Sequence, residues 1–283
     1  MSAIGPSRRG PTRAVRSAVA QAWFFGADRL RLRSERRLFA QLPVARLDRV
    51  SVPIATYDRI DVLVERTIPA LLDQTHHDVE VIVVGDGTPP DLFARLEEID
   101  DPRLIRMRLP ERTRYPSDTL ERWMVAGWRP RNIGAASASG GWLLWMSDDD
   151  LILPHGVEVL LDRARSVPSV DLVSGGFEVR VDPPRLHLPG AVDTGLPFEI
   201  AGMPALLARV YTRAFRWNAR SHLRAVHRPS DYDLLMRMYR AGMRHIATEE
   251  VVAAVLPVAG TGSVGSRAFA IEERRRTEGR QPD

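Results

Sequence analysis

The sequence predicts an α/β fold: a mostly parallel central sheet flanked by helices, with a basic helical extension at the N-terminus. Three observations carry this. Short apolar runs alternate with helical periodicity in the order β-α-β-α-β, which yields parallel strands joined by crossover helices. Two runs, Val79 to Val84 and Trp142 to Met146, are apolar at nearly every position, as strands covered on both faces must be. Both end in acidic turns, Gly85-Asp86-Gly87 and Ser147-Asp148-Asp149-Asp150, and open α/β sheets present ligand groups at such strand ends.

The elements follow in order. Residues 1 to about 11 mix Gly, Pro, Ser and Arg without periodicity and read as a disordered leader. From Thr12 to Leu42, Val15, Val19, Ala22, Trp23, Leu30 and Leu38 recur among seven arginines, a basic amphipathic pattern. It reads either as a helix packed on the domain with a solvated charged face, or as one lying on an anionic membrane with Trp23, Phe24 and Phe25 at the interface. Val50 to Ala55 reads as a strand with Pro53 near an edge or bend, and Ile60 to Gln74 as a helix. A strand over Val79 to Val84, a helix over Asp91 to Ile99 and a strand over Arg103 to Arg108 come next. Helical character then runs from Thr119 to Ala138, with a break expected at Pro130, before the Trp142 to Met146 strand. After Pro154 the pattern gives a helix, a strand near Asp171 to Arg180, and a Pro- and Gly-rich connection from Asp182 to Gly202, long enough to suggest a lid or acceptor loop. Helices at Met203 to Phe215 and Ser230 to Ala241, and short strands around Met243 to Ile246 and Val251 to Leu256, complete the pattern. The expected organisation is an extension over 1–48, one domain over 49–258 whose nucleotide-binding half ends near 150, and a flexible segment over 259–283.

Composition narrows the chemistry. With 283 residues, 44% of them hydrophobic, the chain can bury a sizeable core. It has no cysteine, which removes disulfides, thiolate nucleophiles and thiolate metal sites. The 40 basic side chains are all arginine, yet acids are interspersed among them and the formal charge is only +4, so nucleic acid is not the expected partner. No stretch of about 18 apolar residues is present, so no membrane span is expected. The patch at Val19 to Ala27 is short, flanked by arginine, and lacks the small-residue cleavage site of a signal peptide. The expectation is a cytoplasmic protein, with peripheral membrane contact through residues 13–42.

Asp148, Asp149 and Asp150 repel one another after a buried strand, a cost that a cation removes. Hard carboxylate oxygens with room for phosphate suit Mn²⁺ or Mg²⁺ shared with a nucleotide diphosphate. A solvated acidic loop or helix cap is the plainer reading. Asp86 can accept hydrogen bonds from a base imide or ribose, or can serve only its Asp-Gly turn. Ser230-Asp231-Tyr232-Asp233 opens a helix with Leu235, Met236 and Tyr239 on one face, where Asp231 is either a cap or a base.

Taken together, Thr56-Tyr57-Asp58-Arg59, Leu72-Asp73-Gln74-Thr75, Glu80 to Thr88, Arg131-Asn132-Ile133-Gly134, and Gly141 to Asp150 with Pro154 resemble the large family of inverting, family 2-type glycosyltransferases with the GT-A (Rossmann-like) fold. The resemblance runs over roughly Val50 to Leu256. It implies that Thr56, Tyr57, Asp58 and Asp86 grip the nucleoside and that Arg131 sits near the nucleotide. The family's Asp-x-Asp-Asp signature falls on Ser147 to Asp150, so Ser147 replaces its first acid. By this likeness Asp149 or Asp150 meets the metal and Asp148 or Asp149 the ribose. Ser230-Asp231 with Leu234 and Arg237 resembles the Glu-Asp-x-x-Leu-x-x-Arg helix, with Asp231 as general base and Ser230 replacing Glu. The implied partners are a UDP-, GDP- or dTDP-linked sugar donor and a glycan or lipid-linked acceptor. His245 reads as structural. His222, His227 and Arg216, Arg220, Arg224 and Arg228 read as an exposed basic segment or as diphosphate contacts, and Gly260-Thr261-Gly262-Ser263 resembles a donor-closing loop. A nucleotidyltransferase would need a glycine-rich phosphate loop after the first strand, and Thr56 to Arg59 is not one. A degenerate transferase, with Ser147 and Ser230 in place of acids, is compatible with the same pattern. So is a basic protein that binds nucleic acid or an anionic membrane.

Overall fold

The computed structural model describes residues 26–180, 183–191, 195–221 and 230–256. The chain runs through α1 (26–39), β1 (Val50–Thr56), α2 (60–72), β2 (Val79–Gly85), α3 (Pro90–Glu97), β3 (Leu104–Arg108), α4 (Thr119–Met124), α5 (Trp128–Ser137), β4 (Trp142–Leu144), β5 (Asp150–Ile152), α6 (Gly156–Arg165), β6 (Leu172–Val179), β7 (Arg185–His187), β8 (Leu206–Arg209), α7 (Ser230–Arg240) and β9 (His245–Val255).

These strands form one sheet in the order β3-β2-β1-β4-β8-β6-β9-β5, with β7 hydrogen-bonded to β6. The first four are mutually parallel, as the β-α-β order dictates. Beyond β4 the sheet is mixed: β8 lies antiparallel between β4 and β6, β9 runs parallel to β6, and β5 closes the edge antiparallel to β9. Helices cover both faces, and the alternation along β2 shows why its run is continuous. Val81 and Val83 point into one core cluster with Ile60, Leu63, Phe93 and Leu96, while Ile82 and Val84 pack on the opposite side near Ile133. The lone charge in that run, Glu80, is also buried and is satisfied by the Ser51 hydroxyl and by the Ser139 N–H and hydroxyl.

Four expectations shift in detail. Pro53 lies inside a central strand, but β4 pairs only with Val50 and Ser51, so on that side the ladder has already ended where proline stands. The break within residues 119–138 falls at Val125 to Gly127, not at Pro130, because Pro130 sits in the first turn of α5, where a missing N–H costs nothing, and Gly127 takes the left-handed conformation (φ 72°) before it. Residues 203–215 are not one helix: short 3-10 turns flank strand β8, since Leu206, Leu207 and Ala208 are buried between β4 and β6 and tertiary pairing overrides helical propensity. The two short strands expected near the end are one, β9, whose register against β6 shifts between Ser174 and Phe177.

Helix α1 packs on the domain. Leu32 enters the core cluster of Leu143, Trp145, Phe215, Trp217, Leu234 and Met238, and Asp28 is buried against Arg237 of α7 at 2.8 Å. The N–H of Arg237 at Nε also reaches Asp233 (3.2 Å), and Nη2 donates to the Arg216 carbonyl (2.7 Å). The outer side of α1 shows Arg29, Leu30, Arg33 and Arg37 to solvent. Among the described residues no helix is long and apolar enough to cross a membrane.

Candidate active site

The carboxyl ends of β1, β2 and β4 open onto a cavity of about 410 Å³, closed on its far side by α5, Trp217 and the start of α7. Thr56, Tyr57, Asp58, Asp86, Arg131, Asp148, Asp149 and Asp231 all line it, so residues separated by up to 175 positions in sequence share one space. Asp150 does not line it. Its carboxylate is buried beneath the turn and accepts the Ser147 N–H at 2.9 Å.

The acidic turn is held by α2. That helix widens into a π-turn over Leu63–Thr67, a distortion that re-aims side chains and often accompanies functional sites. Arg66 from this turn donates to the Asp149 carbonyl, and the Thr67 hydroxyl lies 3.2 and 3.0 Å from the carbonyls of Asp148 and Asp150. Arg59, just before α2, donates through Nη1 to the Asp149 carboxylate and stands 3.7 Å from that of Asp148. Burial, and then the charge of Asp149, push the Asp148 carboxyl up to about 7, with Arg59 opposing them. Burial and Asp149 likewise push Asp150 up to about 6, against the Ser147 N–H. Burial first, and the neighbouring Asp149 second, thus disfavour the charged forms of both carboxyls.

At the end of β2 Asp86 is already engaged. Oδ1 accepts the Thr113 N–H (3.0 Å) and hydroxyl, and Oδ2 accepts the Tyr115 hydroxyl, whose oxygen in turn accepts the Gly127 N–H (3.2 Å). Burial and the Asp86 carboxylate raise the Tyr115 phenol well above its usual range, keeping it a donor. Gly87 is required here: its φ is 69°, and a Cβ would fall 2.3 Å from the Arg112 nitrogen. Arg112 then lays its guanidinium 3.5 Å from the centroid of the Tyr57 ring. The Thr56 hydroxyl is buried without a hydrogen-bond partner.

The Arg131-Asn132-Ile133-Gly134 run is explained residue by residue. Asn132 exchanges hydrogen bonds with the main chain of Trp217 (2.8 and 2.9 Å), fixing the cavity wall. Gly134 allows α5 to approach β1, since a Cβ there would meet that of Pro53 at 2.9 Å. Arg131 stands over the Trp217 ring, 4.8 Å from its centroid, and Trp217 packs edge-on against Trp145.

Asp231 faces the same cavity from α7. Its Oδ1 accepts the N–H of Tyr232 at 2.8 Å, and burial raises its carboxyl above the ordinary range, with Arg131 opposing. Ser230 is buried beside it. Arg216 and Arg220 are exposed, and His245 is buried in β9 against the Ser174 hydroxyl (2.8 Å). His222, Arg224, His227, Arg228 and Gly260 to Ser263 lie outside the described residues, as do Trp23 to Phe25. Sequence reasoning missed Arg112, Tyr115, Trp145, Trp217 and the clasp of Arg59, Arg66 and Thr67. None of these stands in a short motif that announces a role, although Tyr115 follows the end of β3 as Asp86 follows that of β2.

A parallel β3-β2-β1-β4 half with acidic turns at its strand ends, joined to a mixed second half that carries a further carboxylate, is the architecture with which known proteins can be compared. No protein-family model matches the chain. It is 27% identical over 210 residues to the succinoglycan biosynthesis protein ExoO of Rhizobium meliloti, covering 69% of this chain and 57% of ExoO. It is 24% identical over 168 residues to EpsJ of Bacillus subtilis, named an uncharacterized glycosyltransferase, covering 59% of this chain and 45% of EpsJ. The crystal structure of S. aureus TarS in complex with UDP-GlcNAc superposes with a TM-score of 0.56 at 18% identity, covering 77% of this chain and 61% of that one. In sequence the chain is similar to proteins of polysaccharide synthesis and to proteins named glycosyltransferases, and in fold it is similar to TarS. It spans little more than half the length of ExoO.

Proposed function

We propose that the chain transfers a glycosyl group, with inversion, from a nucleoside diphosphate sugar to a hydroxyl of a glycan or lipid-linked acceptor in polysaccharide synthesis. The observation that carries this reading is one cavity with Asp148 and Asp149 on one wall and Asp231 on another. The names of the relatives support it, and the UDP-GlcNAc bound to TarS makes UDP-linked donors the first to test.

In this reading Tyr57 and the Asp86-Thr113-Tyr115 cluster shape the nucleoside end, and Arg131 faces the diphosphate. The adjacent carboxylates of Asp148 and Asp149 on the cavity wall fit a divalent cation shared with phosphate oxygens. They would hold Mn²⁺ or Mg²⁺, which when bound neutralises charge on the leaving diphosphate. Asp231 accepts the proton of the acceptor hydroxyl as its oxygen bonds to the anomeric carbon. The bond from that carbon to the diphosphate oxygen breaks, and its electron pair leaves with the diphosphate. The raised affinity of Asp231 for a proton suits that task.

The test is release of nucleoside diphosphate from a panel of UDP-, GDP- and dTDP-sugars with Mn²⁺. If Asp148→Asn and Asp149→Asn stay folded and keep full turnover, the metal role of these carboxylates is wrong. Peripheral contact with an anionic membrane surface at the cytoplasmic face belongs to the same proposal, because Arg29, Arg33 and Arg37 share the outer face of α1 with Leu30, 67% exposed. Cosedimentation with phosphatidylserine vesicles that survives Leu30→Ser and Arg33→Glu would remove that part.

A further inference from the structure

Two kinds of contact hold the acidic turn, and they differ in what they occupy. Arg66 and Thr67 take only main-chain carbonyls, at Asp149 and at Asp148 and Asp150. They fix the course of the turn and leave its carboxylates free. Arg59 instead takes the carboxylate of Asp149 itself and lies 3.7 Å from that of Asp148. A guanidinium so placed stands where a cation between the two carboxylates would stand. The Asp149 oxygen that accepts from Arg59 cannot also give its lone pairs and its field fully to a metal ion.

Arg59 is also free to leave. Its side chain is 25% exposed and lines the cavity, and it follows Asp58, an exposed residue, at the junction before α2. A planar guanidinium matches phosphate oxygens two at a time, so a diphosphate brought into the cavity offers it a second anion of equal or greater charge.

We propose that Arg59 is a partner-switching cation: without donor it neutralises Asp149 and Asp148, and when a divalent ion and a nucleoside diphosphate enter together it yields the carboxylates and binds the diphosphate. This rests on the glycosyltransferase reading above. Its consequence is coupling: the metal alone competes with Arg59 and binds weakly, whereas metal and diphosphate each make room for the other. Such coupling is reciprocal. The main-chain clasp of Arg66 and Thr67 keeps the turn in place while Arg59 exchanges partners.

The experiment is Mn²⁺ titration of the full chain, followed by electron paramagnetic resonance or calorimetry, with and without UDP. Wild type, Arg59→Gln, Arg59→Lys and Asp149→Asn are compared, each first shown by thermal unfolding to be folded. Arg59→Gln is expected to bind Mn²⁺ alone about tenfold more tightly, the scale of one partly buried ion pair, and to lose about tenfold of the tightening that UDP confers. Arg59→Lys retains the competing charge and is expected to keep weak binding of Mn²⁺ alone. Unchanged Mn²⁺ affinity in Arg59→Gln overturns the competition, and undiminished tightening by UDP in that variant overturns the switch to diphosphate. If Asp149→Asn binds Mn²⁺ as wild type does, the metal placement fails as well. If no variant binds Mn²⁺ even with UDP, the metal-assisted reading and the switch fall together.

Discussion

The two acidic centres of the cavity are built in opposite ways. Asp148 to Asp150 sit at the end of a parallel strand and are answered from α2 by Arg59, Arg66 and Thr67. Asp231, on the wall formed by α7, accepts the neighbouring Tyr232 N–H, and among the described residues Arg131 opposes the rise in its proton affinity. Arg237 of the same helix is turned inward to Asp28 and Asp233. A carboxylate group already provided with cations is suited to holding an ion and a diphosphate. One whose proton affinity is raised by burial is suited to taking a proton.

The largest test of this contrast is Asp231→Asn, which should lower turnover by roughly 10² to 10⁴ while leaving UDP binding unchanged. A variant that keeps its turnover removes the distinction between the centres. Next, Arg237→Met should remove the cation shared by two buried carboxylates, leaving Asp28 to Arg31 and Asp233 to the Ser221 hydroxyl, and cost about 3 kcal/mol in urea unfolding, against a loss near zero if the ion pairs of α7 are only incidental. His245 provides a third measure of how strongly the mixed half excludes charge. Burial lowers its imidazole to about 4 from an ordinary 6.5, so the unfolded chain takes up the proton first. Stability is then whole above pH 6.5 and falls as pH drops toward 4, by at most about 3 kcal/mol. In His245→Gln that part of the pH dependence should vanish. The smallest effect is on the pH profile of turnover. Because a carboxylate base must be ionised and burial raises the proton affinity of Asp231, the acid limb should lie above the ordinary carboxylate range, and an acid limb at the ordinary carboxylate value would contradict the environment of Asp231.

Much of the parallel half was legible in the sequence because there one local pattern has one outcome. The Val79 to Val84 run is a strand covered on both faces, Gly87 is needed by its turn, and Gly134 lets α5 meet β1. The mixed half was less legible. Leu206 to Ala208 look helical until β4 and β6 are placed on either side of them, and β5 begins inside the acidic cluster only because β9 is there to pair with it. Within the site, side chains that act alone could be named: Thr56, Tyr57, Asp86, Arg131 and Asp231 all reach the cavity. The cations that answer the acidic turn could not, since Arg59 and Arg66 are two among 40 arginines, and their aim is set by the junction before α2 for the one and by its π-turn for the other. Asp150 was counted with its neighbours because adjacency in sequence does not reveal which carboxylate turns under the chain.

The bond between Asp28 and Arg237 also has a history within each molecule. Its partners are 209 residues apart, so during synthesis, at about 5–20 residues per second, α1 emerges on the order of 10–40 s before the helix that will neutralise Asp28 and cover Leu32. Through that interval the β1 to β4 half has its own helices to fold against, while α1 waits. A helix made late thus docks one made early, and the wall bearing Asp231 takes its final form only when α1 and α7 meet.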